Sequence, residues 1–148
     1  MLQDGSNTRT DDYGGSIVNR SRCLREVVQA MVSVWGGDRV AVHIGLSGAF
    51  NGMSDSNPGT LFDDVAEQLN RFRLAYLHMI EPGVKGNVLI AEGQGPMAAG
   101  WLRHMFKGKI IVAGGCAPAT AGATVENGDA DLVAFGRHAW RIRTCPSA

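Results

Sequence analysis

The chain has 148 residues, 45% of them hydrophobic, with 14 Lys+Arg balanced by 14 Asp+Glu. That length holds one domain with a real core, and zero net charge without a Lys/Arg cluster argues against nucleic acid, whose phosphates need a basic footprint. No apolar run approaches the ~20 residues of a membrane span, and Met1-Leu2-Gln3-Asp4-Gly5 has no signal-peptide pattern. Cys23, Cys116 and Cys145 are odd in number, far apart and in no metal-ligand spacing. They point to a reducing, cytoplasmic setting rather than to a disulfide framework or a structural zinc.

Residues 1–15 read as a loop of Asp, Gly, Ser and Asn turn formers. Ser16 is placed to cap a helix, and Leu24, Val27, Val28, Met31, Val32 and Trp35 recur at helical spacing as one apolar stripe, ended by Gly36-Gly37. Residues 40–44 are a short β-branched run, followed by a Gly/Ser/Asn/Asp/Pro loop through Gly59. Thr60 is the expected cap of a second helix carrying Phe62, Val65, Ala66, Leu69 and Phe72. Residues 75–80 predict a strand that stops at Glu81-Pro82-Gly83. After a further loop, Pro96 suits a first helical turn, with Ala98, Trp101, Leu102, Met105 and Phe106 on one face and Gly108 past the end. Residues 110–113 predict a third strand, closed by Gly114-Gly115. A weaker helix spans residues 118–126, where Gly122 lowers propensity by ~1 kcal/mol. Residues 132–135 predict the fourth strand, closed by Gly136.

Short apolar strands alternating with helices predict an α/β fold with a parallel sheet, its helices on both faces or on the outer one. The open architectures are a small doubly wound sheet and part of a (β/α)₈ barrel, which when complete runs to ~250 residues. In either, ligands collect at the carboxyl ends of the strands. Two glycine turns lie there, Gly114-Gly115 and Gly136-Arg137; their N–H groups could hold a phosphate, with Arg137 adding charge. The plainer reading is that the glycines only permit tight turns. His43 sits in or at the end of a strand and could face a site, although a strand histidine more often packs. His78 reads as packing and His104 as solvated. Glu81 could be an acid or base but has no second carboxylate beside it, and Cys116 could be a nucleophile but has no recognisable base. No Gly-x-Gly-x-x-Gly follows a strand, which disfavours a Rossmann dinucleotide site.

Gln3-Asp4-Gly5-Ser6-Asn7-Thr8-Arg9-Thr10-Asp11-Asp12-Tyr13-Gly14-Gly15-Ser16 closely resembles the loop after the fourth barrel strand in the old yellow enzyme family of FMN-dependent NAD(P)H oxidoreductases. Asn19-Arg20-Ser21-Arg22, Phe50-Asn51-Gly52-Met53-Ser54-Asp55, Tyr76-Leu77-His78-Met79-Ile80-Glu81-Pro82 and Asp131-Leu132-Val133-Ala134-Phe135-Gly136-Arg137 continue the match in order. The resemblance implies a TIM (β/α)₈ barrel whose C-terminal half, strands five to eight, these residues form. It also implies FMN as cofactor, NAD(P)H as reductant and a small activated alkene as substrate. The family's substrate-binding His/Asn pair and proton-donating Tyr are expected upstream of Met1, with the first four strands, so no catalytic residue is assigned here and the chain is expected to be inactive alone.

The flavin contacts that the resemblance implies are Gly114, Gly115, Gly136 and Arg137 at the phosphate. His43 stands where the family usually carries an arginine near the flavin ring and ribityl chain. Imidazole is shorter and largely neutral at pH 7. The Ser-Pro usual after that arginine is replaced by Gly45-Leu46.

The resemblance divides the chain into residues 1–138, a partial barrel, and an atypical tail, 139–148. In barrel geometry the strands at 40–44 and 132–135 have unpaired apolar edges, which invite pairing with another chain. Exposing on the order of 500 Å² of inward apolar surface would forfeit ~12 kcal/mol, comparable to a domain's net stability. A monomer is therefore not expected to persist, and self-association is. Written with GC-rich codons, Trp140 to Ala148 read two bases later spells Ala-Asp-Pro-Asp-Leu-Pro-Glu-Arg, the family's usual continuation. The tail is thus expected to be a frameshift product. Sequencing the encoding DNA checks this: codons that can give that second reading are expected, and codons that cannot give it overturn the idea.

Overall fold

The computed structural model describes residues 1–46, 53–81, 84–85, 88–89, 98–114 and 117–136. Caps fix where the helices begin. Helix α1 (Ile17–Trp35) starts at Ser16, whose hydroxyl accepts from the Asn19 N–H, and stops at Gly36, whose N–H returns to the Val32 carbonyl. Strand β1 (Ala41–Gly45) follows, then α2 (Pro58–Leu69) and β2 (Tyr76–Ile80). The start of α2 corrects the expected cap. Asn57, not Thr60, is the N-cap, with its side chain accepting the Thr60 N–H at 3.3 Å, and Pro58 fills the first turn where a missing N–H costs nothing.

A two-residue antiparallel pair, β3 (Val84–Lys85) with β4 (Val88–Leu89), interrupts what the sequence suggests is plain loop. Helix α3 (Ala98–Arg103), β5 (Ile110–Ala113), α4 (Pro118–Glu126) and β6 (Leu132–Ala134) complete the order. The last strand is one residue shorter than expected. Pro96, expected in the first turn of α3, lies outside the described residues, as do Gly115, Cys116, Arg137 and the tail at 139–148.

The four longer strands form one parallel sheet in the order β1-β2-β5-β6, the order of the chain itself. That order decides between the two architectures. A doubly wound sheet reverses strand order at a switch point and covers both faces with helices. Here the order never reverses, and helices α1, α2 and α3 share one core with one face of the sheet. Val42, Ile44, Leu77, Met79, Ile110 and Val112 are buried there against Val28, Leu61, Phe62, Val65, Leu69 and Leu102. The alternate residues, Ala41, His43, Gly45, Tyr76, His78, Ile80, Ile111, Ala113, Leu132 and Ala134, are at most half-buried. A sheet with consecutive parallel strands and a single covered face is an arc of a barrel.

Helix α1 departs from its expected single stripe. Val28 is buried and Leu24 and Val32 pack on the core, but Val27, Met31 and Trp35 remain 52%, 38% and 56% exposed. Met105 likewise stays exposed, because α3 ends at Arg103 before the apolar pattern does.

The amino-terminal loop is held by polar contacts. Arg20, almost fully buried, sits 3.2 Å from the fully buried Asp55 carboxylate and 3.4 Å from that of Asp4. The Asp4 N–H donates to Asp55 at 3.0 Å, and the Ser56 N–H and hydroxyl donate to Asp4. Gly5 closes the joint: its N–H donates to the Ser54 carbonyl at 2.9 Å, and a Cβ there would lie 2.0 Å from the Ser54 hydroxyl. Asn7 bridges the loop internally, donating to the Met1 and Tyr13 carbonyls.

At the other end of the sheet, Asp131 accepts from the Ile110 N–H and from Lys109, both at 2.9 Å, and from Arg103. Burial pushes its carboxyl up, but the Ile110 N–H, Lys109 and Arg103 outweigh that and bring it to about 2.

Two measurements test these ties. Breaking a buried ion pair strands the remaining charge, so Arg20→Met or Asp55→Asn is expected to cost about 3 kcal/mol in urea unfolding; a loss within experimental error would remove the pair from that role. Asp131 has a depressed folded-state value, so its contribution is complete above about pH 4 and is lost as pH falls toward 2. Asp131→Asn should cost about 1–2 kcal/mol at pH 6 and no more than about 0.5 kcal/mol at pH 2, read from thermal unfolding across that range.

Candidate functional site

Because all four strands are parallel, their carboxyl ends share one rim. Gly114 follows β5 and Gly136 follows β6 by two residues, and Ala113 pairs with Ala134, so the two glycine turns stand on adjacent strands at that rim. Gly114 has φ +76°, a conformation that costs an L side chain about 1–2 kcal/mol. A Cβ added at Gly136 would meet nothing within 4 Å. Among the described residues nothing fills the space beside it.

Helix α4 begins just beyond Gly114, with its positive dipole end at the same rim. Its donors are mostly committed. Pro118 has no N–H, and the Thr120 and Ala121 N–H groups both bond the Ala117 carbonyl at 3.0 Å. What α4 offers an anion is its dipole rather than a row of free amides.

The open face of the sheet carries a row in register across four strands: His43, His78, Ile111 and Leu132. His43 and His78 touch, Nδ1 to Nδ1 at 2.8 Å, with ring centroids 4.5 Å apart and planes at 69°. One ring donates and the other accepts, as the tautomers allow. Burial, and then the neighbouring His43, holds His78 below the ordinary histidine value, which keeps it neutral at pH 7. The next row toward the rim is Gly45, Ile80, Ala113 and Ala134. It is small and apolar except for Ile80, and leaves space above the imidazoles.

The expected site residues therefore separate. Gly114 and Gly136 come together at the rim, while His43 lies three to four residues deeper in register, on the far edge strand. Gly115 and Arg137 lie outside the described residues. His78, read from the sequence as packing, is the partner of His43. The signal for it was the equal position of each histidine within its strand, which acquires meaning only once the register is known.

Glu81 has a different task from acid–base chemistry. Its buried carboxylate accepts the Ala98 and Ala99 N–H groups at 2.8 and 3.0 Å, capping α3. Burial raises its carboxyl value, and those two N–H groups pull it back. Both oxygens are committed. His104 is exposed, as expected. A groove of about 520 Å³ lies between α1 and α2, lined in part by Arg22, Arg25 and Arg71, away from the rim. Among the described residues no helix is long and apolar enough to cross a membrane, and no group of three or more metal-ligating side chains occurs.

Comparison with known proteins places this geometry. The chain is 41% identical to rice (Oryza sativa subsp. japonica) 12-oxophytodienoate reductase 7, covering 93% of this chain and 38% of that one. It is 38% identical to Arabidopsis thaliana 12-oxophytodienoate reductase 2, covering 93% and 36%. Among solved structures, the old yellow enzyme homologue from Zymomonas mobilis superposes with a TM-score of 0.82 at 32% identity, over 92% of this chain and 38% of that one. Morphinone reductase in complex with tetrahydroNAD superposes with a TM-score of 0.80 at 37% identity, over 92% and 35%. These neighbours are TIM barrels, and the chain spans little more than a third of their length. The model of one family, NADH:flavin oxidoreductase / NADH oxidase, matches residues 1–141, and the chain belongs to that family.

Proposed function

We propose that this chain forms the phosphate-holding half of an FMN-dependent NAD(P)H oxidoreductase that reduces activated alkenes, and that it is inactive without the other half. The observation that carries the reading is the pair of glycine turns, Gly114 with φ +76° and Gly136 beside open space, on adjacent parallel strands at one rim. Those positions fit a phosphate, which needs close backbone approach and a helix dipole. Gly114, Gly115, Gly136 and Arg137 would hold that group, and His43 would face the flavin ring and ribityl chain from the sheet. FMN, when bound, supplies the two-electron relay between NAD(P)H and the alkene.

The remaining work of this chain is positional. The Arg20–Asp55 joint holds the loops at the rim, and Glu81 anchors α3 behind β2. The unit assigned to this role is residues 1–138.

A second reading is a half-barrel that self-associates or binds phosphate only. Its support is the uncovered face, where Tyr76 and Leu132 are 37% and 58% exposed, and the edge strands β1 and β6, each paired on one side.

Flavin titration of the purified chain, alone and with a polypeptide supplying four further βα units of the family barrel, tests both. Alone, the chain is expected to bind FMN weakly, with inorganic phosphate competing, and to show no NADPH oxidation. With the added half, stoichiometric yellow colour and turnover of an enone are expected. In that complex His43→Arg should tighten FMN by about tenfold, since a guanidinium donates in a fixed fork and is always charged. Stoichiometric flavin and turnover by the chain alone overturn the half-site reading. Concentration-dependent assembly in the ultracentrifuge with no flavin uptake in either setting replaces it with the second.

A further inference from the structure

His43 and His78 sit at directly paired positions of neighbouring parallel strands, so the backbone fixes both Cβ atoms on the same face of the sheet. Their Nδ1 atoms converge to 2.8 Å, one ring exposed and the other half-buried. The neighbours on that face leave room. Ala41 and Gly45 flank His43 on its own strand, and a Cβ at Gly45 would meet nothing within 4 Å. The two Nδ1 atoms face each other across that hydrogen bond, and a rotation of the exposed His43 ring turns both toward a common point; imidazole nitrogen is the donor that suits zinc, nickel and copper.

We propose that His43 and His78 form a two-histidine site for a divalent first-row transition-metal ion such as Zn²⁺, bound through both Nδ1 atoms on the open face of the sheet. A tetrahedral ion with bonds of ~2.0–2.1 Å holds two nitrogens about 3.3 Å apart, so the pair must open by about half an ångström. The exposed His43 ring can make that adjustment by side-chain rotation.

Proton bookkeeping also permits it. In the Nδ1–Nδ1 hydrogen bond one proton lies between the two rings. Binding displaces it, and the donating ring carries its proton on Nε2 instead, so no net proton is released. Nε2 of His78 is buried without a partner whichever tautomer the ring adopts, so ligation adds no unsatisfied atom there. Among the described residues no carboxylate or thiol completes the set, so water fills the remaining positions and the site is exchangeable rather than structural. The inference concerns the flavin-free chain and needs neither the rim glycines nor a closed barrel; bound flavin would compete with the metal for His43, so the two readings fail on different measurements.

Titration of the 148-residue chain, free of flavin, with ZnCl₂ by calorimetry tests it, together with long-range ¹H–¹⁵N spectra of the imidazoles. One Zn²⁺ per chain is expected in this site, with Nδ1 rather than Nε2 of both rings shifting. Its affinity should fall at least about tenfold in His43→Ala and again in His78→Gln, and stay unchanged in His104→Ala. His43 is exposed, so its variant decides the matter if His78→Gln does not fold by circular dichroism. Zn²⁺ uptake that survives His43→Ala unchanged, ligation through Nε2, or no uptake at all overturns the proposal.

Discussion

Everything in this molecule follows from a parallel sheet covered on one side. Parallel strands are ordinarily buried on both faces, either between helix layers or, in a barrel, between a helix layer and the opposite wall of the cylinder. Here Val42, Ile44, Leu77, Met79, Ile110 and Val112 are buried against helices, and the residues between them are exposed or only partly buried. Because side chains alternate strictly along a strand, the exposed set cannot be hidden by a small shift: a one-residue slip would expose the core set instead. The register is therefore fixed by the helix side, and the open face inherits whatever that register aligns. The His43–His78–Ile111–Leu132 row is such an inheritance.

The same constraint gives the polar joint its importance. A one-sided sheet has little apolar surface left with which to tether long loops. The loops at the carboxyl rim, residues 1–15 and those leading into α2, are instead fastened to each other by Arg20, Asp4, Asp55 and the Gly5 contact. This arrangement suits a binding rim. Polar ties between loops hold position without occupying the concave face, while a hydrophobic tether would have had to fill it.

Local chemistry made much of this legible in the sequence. Pro118, beyond the Gly114 turn, marks the observed start of α4, and the Ser16 cap is where the side-chain chemistry puts it. The errors have physical causes. Asn57 and Thr60 are both capping residues, and the choice between them is made by Pro58, which can occupy the first helical turn and so lets the helix begin three residues earlier. Hydrophobic spacing in α1 reports what a helix could bury, but Val27, Met31 and Trp35 lie on a side where the described chain supplies no partner. The strands β3 and β4 are two residues each, too short to show any period. Strand order, which distinguishes an arc of a barrel from a doubly wound sheet, is not a local property at all. Only the resemblance to a known family carried it.

The histidine row shows how register changes the meaning of a substitution. An arginine at position 43 would bring a fixed charge wherever the strands lay. A histidine there depends on its neighbour, because in this register it contacts His78, whose neutrality is enforced chiefly by burial. The pair consequently contributes directional nitrogen atoms to the open face. An anion at the rim would meet the α4 dipole rather than a charged side chain at position 43. Hydrogen bonding on the open face is thus offered from β1 and β2, whereas the α4 dipole acts at the carboxyl rim beside β5 and β6.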